Sequence, residues 1–481
     1  MLFNSLTFLI FLSFTLLFYY RLPFKAQNIF LLGASYLFYG WWDYRFLFLL
    51  LFTSAFDYVC ALLIEKQSDQ RKRRWILILS LVSNLGVLCV FKYFNFFAAE
   101  LAILLRTFGL NPSFPILQVI LPVGISFYTF LSMSYTIDVY RRELKATRDP
   151  IAFLLFVSFF PHLVAGPIVR ASYLLPQCEA PRTIKAEQVA TGIWLVLLGY
   201  VKKVVIADRL AGVSNLGFAN HTVPLFSDAN SWLILYAFAF QIYGDFSGYS
   251  DIARGLSKIM GFELPVNFRA PYLVTNPTEF WRHWHITLST WLRDYLYIPL
   301  GGNRRGPWRT ALNLLITMVL GGLWHGAGIA YVLWGAYQGI LLMVHRGWTH
   351  MREKLFGAAA TPGRGWRWPG HVMLIVIFFH IICIGWLFFR AGALAGGEQF
   401  PLIRNYLSAL ANFRLADGIS PLAQPILILG ALGLFLQWKH AAMDTFYHWR
   451  LRWQTAAVVS AFVAIAAFGV FERGEFIYFQ F

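Results

Sequence analysis

Two histidines carry the chemistry this chain could perform. His325 sits in Leu320-Gly-Gly-Leu-Trp-His-Gly-Ala-Gly328, between two apolar stretches long enough to enter a bilayer. An ionisable side chain at such depth is costly and is retained where it serves a site. His285 lies upstream, in an aromatic segment with one polar face that separates the membrane-length stretches. An imidazole kept away from water stays neutral and able to accept a proton, so the two together suggest a reaction run inside a membrane protein. The competing accounts are structural: His285 bonded to a carbonyl, and His325 ending a helix at the outer interface.

Something must hold those side chains, and composition says what. The chain has 481 residues, 58% hydrophobic and 18% aromatic, with only 13% charged and a mean hydropathy of +0.58. That is too much apolar surface for a soluble globule. With about 20 apolar residues per crossing, the stretches from Leu2–Tyr20 to Ala456–Phe471 predict an all-α, multi-pass membrane protein of about 11–13 membrane helices, some short or re-entrant. The first stretch lacks the basic start and small-residue cleavage site of a signal peptide, so it is expected to stay as a helix. The chain is read as one membrane domain over 1–481.

The net charge of +17 would point to nucleic acid in a soluble protein. Here the basic residues cluster in loops, at Arg71–Arg74, at Arg141, Arg142, Lys145 and Arg148, and at Arg304, Arg305 and Arg309. Positive-inside topology accounts for them, and no nucleic-acid partner is expected. If those loops are cytoplasmic, Met1 lies outside. Cys60, Cys89, Cys178 and Cys383 are far apart with no C-x2-C spacing, so neither a disulfide nor a metal site is expected.

Two local elements position the histidines. Asn276 suits an N-cap, Pro277 the first helical position and Glu279 the third, so a helix is expected to start there. Trp281, Trp284, His285, Leu288, Leu292 and Tyr295 follow i, i+3, i+4 spacing, while Arg282, Ser289 and Arg293 fall elsewhere. That predicts an amphipathic helical segment around 276–300 with His285 on its aromatic side; His283 points away and is given a surface role. Basic residues flank His325 on both sides, so Trp308–Val344 is expected to enter the membrane and return. Each arm is about 24–27 Å long, just short of a roughly 30 Å core. The turn at Gly321, Gly322, Gly326 and Gly328 then puts His325 deep, walled by protein.

The run Phe280-Trp-Arg-His-Trp-His-Ile-Thr-Leu-Ser-Thr-Trp-Leu-Arg-Asp-Tyr-Leu-Tyr-Ile-Pro-Leu-Gly-Gly-Asn303, followed by Gly321-Gly-Leu-Trp-His-Gly326, resembles the signature of the membrane-bound O-acyltransferases. Specifically, it resembles the bacterial branch of alginate O-acetyltransferases and teichoic-acid D-alanyl transfer proteins, with more likeness to the alginate type than to the D-alanyl type. Pro122–Phe130, Phe160–Pro167 and Tyr243–Arg254 extend the resemblance over most of the chain. It implies that His325 is the catalytic histidine and His285 the second active-site position. His283 stands where close relatives are expected to carry arginine.

The resemblance further implies an O-acetyltransferase of the bacterial inner membrane. It would take acetyl from a cytoplasmic thioester, acetyl-CoA above all, and pass it across for O-acetylation of an exported polysaccharide, whether alginate-like, cellulose or peptidoglycan. Periplasmic transfer proteins are the expected partners, together with the lipid bilayer. His325 is then the general base, and His285, Trp324 and nearby backbone N–H groups orient the acyl group. Arg170, Lys202 and Lys203 could attract an anionic donor. The terminal Glu475-Phe-Ile-Tyr-Phe-Gln-Phe481 resembles the tail of the small membrane protein of the D-alanyl system, which implies Tyr478 as an acyl carrier; composition alone makes that tail an interfacial anchor. The alternative of another class is a secondary transporter with Asp57, Asp245 and Asp251 as coupling sites. It would call for repeated halves, and none is visible.

Overall fold

Away from water, backbone N–H and C=O groups must be satisfied within the chain, and a helix does so locally. A computed structural model of the chain describes residues 1–110, 112–117, 120–219, 228–357, 367–394, 396–412, 423–471 and 476–477. Among these residues the elements are all helical, with no strand. Among the described residues five helices are long and apolar enough to cross a membrane: Arg45–Lys66, Gln70–Thr107, Ala186–Phe218, Pro369–Ala391 and Leu451–Phe468. Leu6–Tyr19 and Ala423–Trp438 are shorter apolar helices. Other apolar stretches fall in broken elements, such as Pro150–Ser158 followed by Phe160–Leu163, or in helices with more polar residues, so length and hydropathy together mark fewer crossings than hydropathy alone.

The chain divides into two compact units, Met1–Val196 with Tyr249–Pro265, and Leu197–Gly248 with Val266–Phe481. In the first, Arg45–Lys66, Gln70–Leu88 and Ile125–Arg141 pack on one another. Asp69 caps the second of these by accepting the Arg71 N–H at 2.8 Å. At their centre the buried Asp57 carboxylate accepts from Ser80 Oγ at 2.6 Å, Asn84 Nδ2 at 2.8 Å and Ser132 Oγ. Arg73, from the basic cluster, is buried and donates to the Tyr140 carbonyl at 2.7 Å.

In the second unit the dominant packing is a hairpin of Gly306–His325 against Ile329–Phe356. Pro307 lies in the first turn of the outgoing helix, where its missing N–H costs nothing. A Cβ on Gly322 would sit 2.2 Å from the Tyr331 carbonyl oxygen, and one on Gly335 2.4 Å from that of Met318. The two helices therefore meet backbone to backbone, as small residues allow in membrane proteins. Arg367–Ala391 and Pro277–His283 pack on the returning helix. Trp284, Trp334 and Trp386 form a fully buried aromatic core beneath the turn.

Candidate active site

His325 is the last residue of the outgoing hairpin helix, and Gly326 leaves it in extended conformation. The helix ends there, and the chain reverses over three residues before Ile329. Its ring is buried among Trp324, Trp334 and Phe389, with centroids at 5.0, 5.1 and 5.2 Å and interplanar angles between 73° and 90°. Edge-on aromatic packing of this kind fixes the plane of the imidazole. The ring's neighbours are protein side chains.

Around 276–300 the segment is helical but not one helix. Asn276 caps its start, accepting the Glu279 N–H at 3.0 Å, and Pro277–His283 follows. Trp284 is then extended and His285 left-handed, at φ 42°, before Ile286–Leu292 and a π-helical turn at Arg293–Tyr297. This corrects the continuous helix expected from the spacing. The reason is Asn267, whose carbonyl accepts the Ile286 N–H at 3.0 Å, while its side-chain oxygen accepts the Thr287 N–H at 3.2 Å and the Thr287 hydroxyl at 2.9 Å. Those bonds offset a left-handed non-glycine backbone, which costs roughly 1–3 kcal/mol.

The same oxygen settles the state of His285. Nδ1 of His285 lies 3.2 Å from Asn267 Oδ1. A backbone N–H can only donate, so the Asn267 atom facing Thr287 is the oxygen, and Nδ1 must carry the proton toward it. Nε2 is left as the lone-pair nitrogen. Two seven-residue helices flank this residue, each about 10 Å long and too short to cross a bilayer. Burial pushes the His285 imidazolium down to about 3, because a charged ring is penalised without solvent.

The structure brings the two rings together. Their centroids are 6.5 Å apart, with Trp324 5.0 Å from His325 and 6.1 Å from His285. Phe246 meets the His285 ring edge-on at 4.6 Å and 88°. His283 is half-buried, and Tyr478 lies outside the described residues. Asn267 and Phe389 escaped the sequence reading, and Thr287 and Phe246 lay within the cited runs without a role. Asn267, Phe246 and Phe389 come from segments distant from His285 and His325 in the chain or from another helix, and no local spacing marks them.

The acidic residues of the transporter reading are each held in their own bonds. Asp57 has its three neutral donors, and Asp251 sits 3.7 Å from Arg254. Asp245 pairs with Lys203 at 2.6 Å, and Lys203 reaches Asp208 at 2.9 Å. Lys203 is thus committed to two carboxylates rather than open to an anionic donor. Among the described residues no three His, Cys, Asp or Glu side chains gather to hold a metal.

A helical membrane protein with two neighbouring buried imidazoles, one of them at a glycine turn, is the class that this geometry defines. The chain belongs to the membrane-bound O-acyltransferase family, whose model matches residues 37–388, and it is an O-acyltransferase. Its relatives include the probable alginate O-acetylase AlgI of Pseudomonas aeruginosa, 45% identical over 396 residues, covering 81% of this chain and 72% of the relative. The peptidoglycan O-acetyltransferase of Helicobacter pylori is 36% identical, covering 81% and 77%. The teichoic acid D-alanyltransferase of Bacillus subtilis is 28% identical, covering 58% and 71%. Both histidines fall inside the family match, and Tyr478 falls beyond it.

Proposed function

We propose that this acyltransferase moves acetyl from a thioester donor, acetyl-CoA, to a hydroxyl at the His325–His285 pair, for O-acetylation of an exported polysaccharide. The observation that carries the proposal is the pair itself: two buried imidazoles, 6.5 Å apart, one fixed in tautomer by Asn267. The acceptor hydroxyl oxygen attacks the thioester carbonyl carbon, and His325 takes the hydroxyl proton. When the tetrahedral intermediate collapses, the C–S bond breaks and the imidazolium returns the proton to the departing thiolate. An ester and a free thiol result. The Trp324 indole N–H can only donate and is the side-chain candidate to face the developing oxyanion. His285, neutral and protonated on Nδ1, presents an acceptor at Nε2. It suits holding a hydroxyl or water in place and does not suit donating to an oxyanion.

In this reading the enzyme is a multi-pass protein of the bacterial inner membrane, drawing its donor from the cytoplasm and delivering acetyl outside to partner proteins. The similarity to alginate-type relatives favours an alginate-like polymer. Tyr478 is the proposed first acceptor: its phenol takes acetyl and offers an aryl ester, a better leaving group than an alkyl ester. The test is transfer from radiolabelled acetyl-CoA by protein reconstituted in liposomes. Label is expected on Tyr478 in the wild type and not in His325→Ala. Equal labelling of both proteins refutes the assignment of His325.

A further inference from the structure

We infer that Asp245 is a positioning residue that clasps Phe476–Ile477 against the wall of the His285 ring, and that acyl transfer depends on this clasp. The inference rests on the acetyl-transfer reading only for its activity readout. The Asp245 carboxylate divides its two oxygens. Oδ1 lies 2.6 Å from Lys203 Nζ, and Oδ2 accepts the Ile477 backbone N–H at 2.6 Å. A buried carboxylate is held by such a cation and such a donor, and charge-assisted bonds of this length are the strong ones. Lys203 is shared with Asp208 at 2.9 Å, so the clasp is fixed on its far side as well.

What the clasp holds leads directly to the site. Phe476 and Ile477 are both buried, at 2% exposure each. The Phe476 ring lies 6.0 Å from that of Phe246 at 66°. Phe246 follows Asp245 in the chain and meets the His285 imidazole edge-on at 4.6 Å. One helical step therefore joins the residue that grips the segment to the ring that braces His285. Beside this cluster the Val470 N–H donates to the Val204 carbonyl at 3.0 Å and Arg209 Nε to that of Phe468. Val204 and Lys203 belong to the π-helical turn Val201–Ala207, an irregularity that recurs at functional sites. An ionic cluster, a π-turn and the pair Phe476–Ile477 thus meet at Asp245, one residue from the ring that faces His285.

The test is a double-mutant cycle of Asp245→Asn with Ile477→Pro, which deletes the donated N–H together with the buried isoleucine side chain and keeps the Asp245 carboxylate for Lys203. Acetyl transfer in liposomes is measured for both single variants and the double, at equal protein level. Amide exchange of the peptide carrying Phe476 and Ile477 is followed in wild type and Asp245→Asn. Each single change is expected to lower transfer at least tenfold, with the double no more than about twofold below the worse single, because both break the same bond between Asp245 and the Ile477 N–H. Exchange should accelerate at least tenfold in Asp245→Asn. Wild-type transfer by Ile477→Pro overturns the inference even if Asp245→Asn fails to fold. So does a double variant whose loss is the product of the two single losses. If even the wild type transfers no acetyl, the functional reading fails instead, and the exchange rates still decide whether the clasp exists.

Discussion

Asn267 holds His285 through one oxygen that also receives the backbone N–H and hydroxyl of Thr287. The residue that sets the tautomer of the second histidine thus also sets the bend that aims it. Asn267→Leu removes all three bonds and leaves buried donors unmatched, a cost of about 1–3 kcal/mol for each such group. Its rate of acetyl transfer is expected to fall at least tenfold. Asn267→Asp keeps an acceptor in place and is expected to retain more activity than the leucine variant. Initial rates of the two purified variants check this, and a leucine variant equal to wild type would count against the tautomer argument.

His325→Ala should lose about 10²- to 10⁴-fold in transfer, the usual contribution of a general base, while inserting at wild-type level. His285→Asn should be severe but incomplete, since asparagine tolerates the left-handed backbone and still offers a polar group. Polymer acetyl content, normalised to protein by immunoblot, measures both.

Tyr478→Phe keeps the aromatic ring and removes only the hydroxyl. Loss of polymer acetylation with normal insertion is expected. Wild-type acetylation would return that residue to the role of interfacial anchor.

Glycines in the hairpin offer a control that chemistry does not confound. Gly322→Ala and Gly335→Ala would press a methyl group onto backbone carbonyls, at 2.2 Å and 2.4 Å, and overpacking of this kind costs about 1–3 kcal/mol. Both should lower the unfolding temperature in detergent and reduce transfer together. Gly347, on the same returning helix with nothing within 4 Å of its built Cβ, should accept alanine with unchanged or slightly raised stability. Equal behaviour of all three would contradict the close approach of the hairpin helices.

His325→Cys addresses access. The side chain at 325 is buried, at 4% exposure, so a cysteine there should react with small membrane-permeant thiol reagents and slowly with bulky impermeant ones. The exposed Cys89 is replaced by serine for the measurement. Fast labelling by both reagents from outside would put the residue on an open surface.

These elements were legible in the sequence to the extent that their causes are local. The Asn276 cap, the proline after it and the glycine turn at His325 all act within a few residues, and the chain folds there as its spacing reads. The break at Trp284–His285 was not legible. The apolar periodicity runs through it unbroken, and the force that bends it comes from Asn267, 18 residues away in the chain. Asp245 makes the same point: its partner is Lys203, from a π-turn that no residue pattern announces.

The left-handed backbone at His285 has a consequence for how this site can change over time. A residue there is admitted by its main chain before its side chain is put to any use. Asparagine, aspartate and glycine enter that conformation at low cost, and valine, isoleucine and threonine do not. A library randomised at position 285 should therefore sort twice, first by abundance in the membrane and then by turnover among the variants that fold. Any descendant that exchanges this imidazole for another group has only a narrow gate to pass through, and the few residues that fit it are polar or absent of side chain.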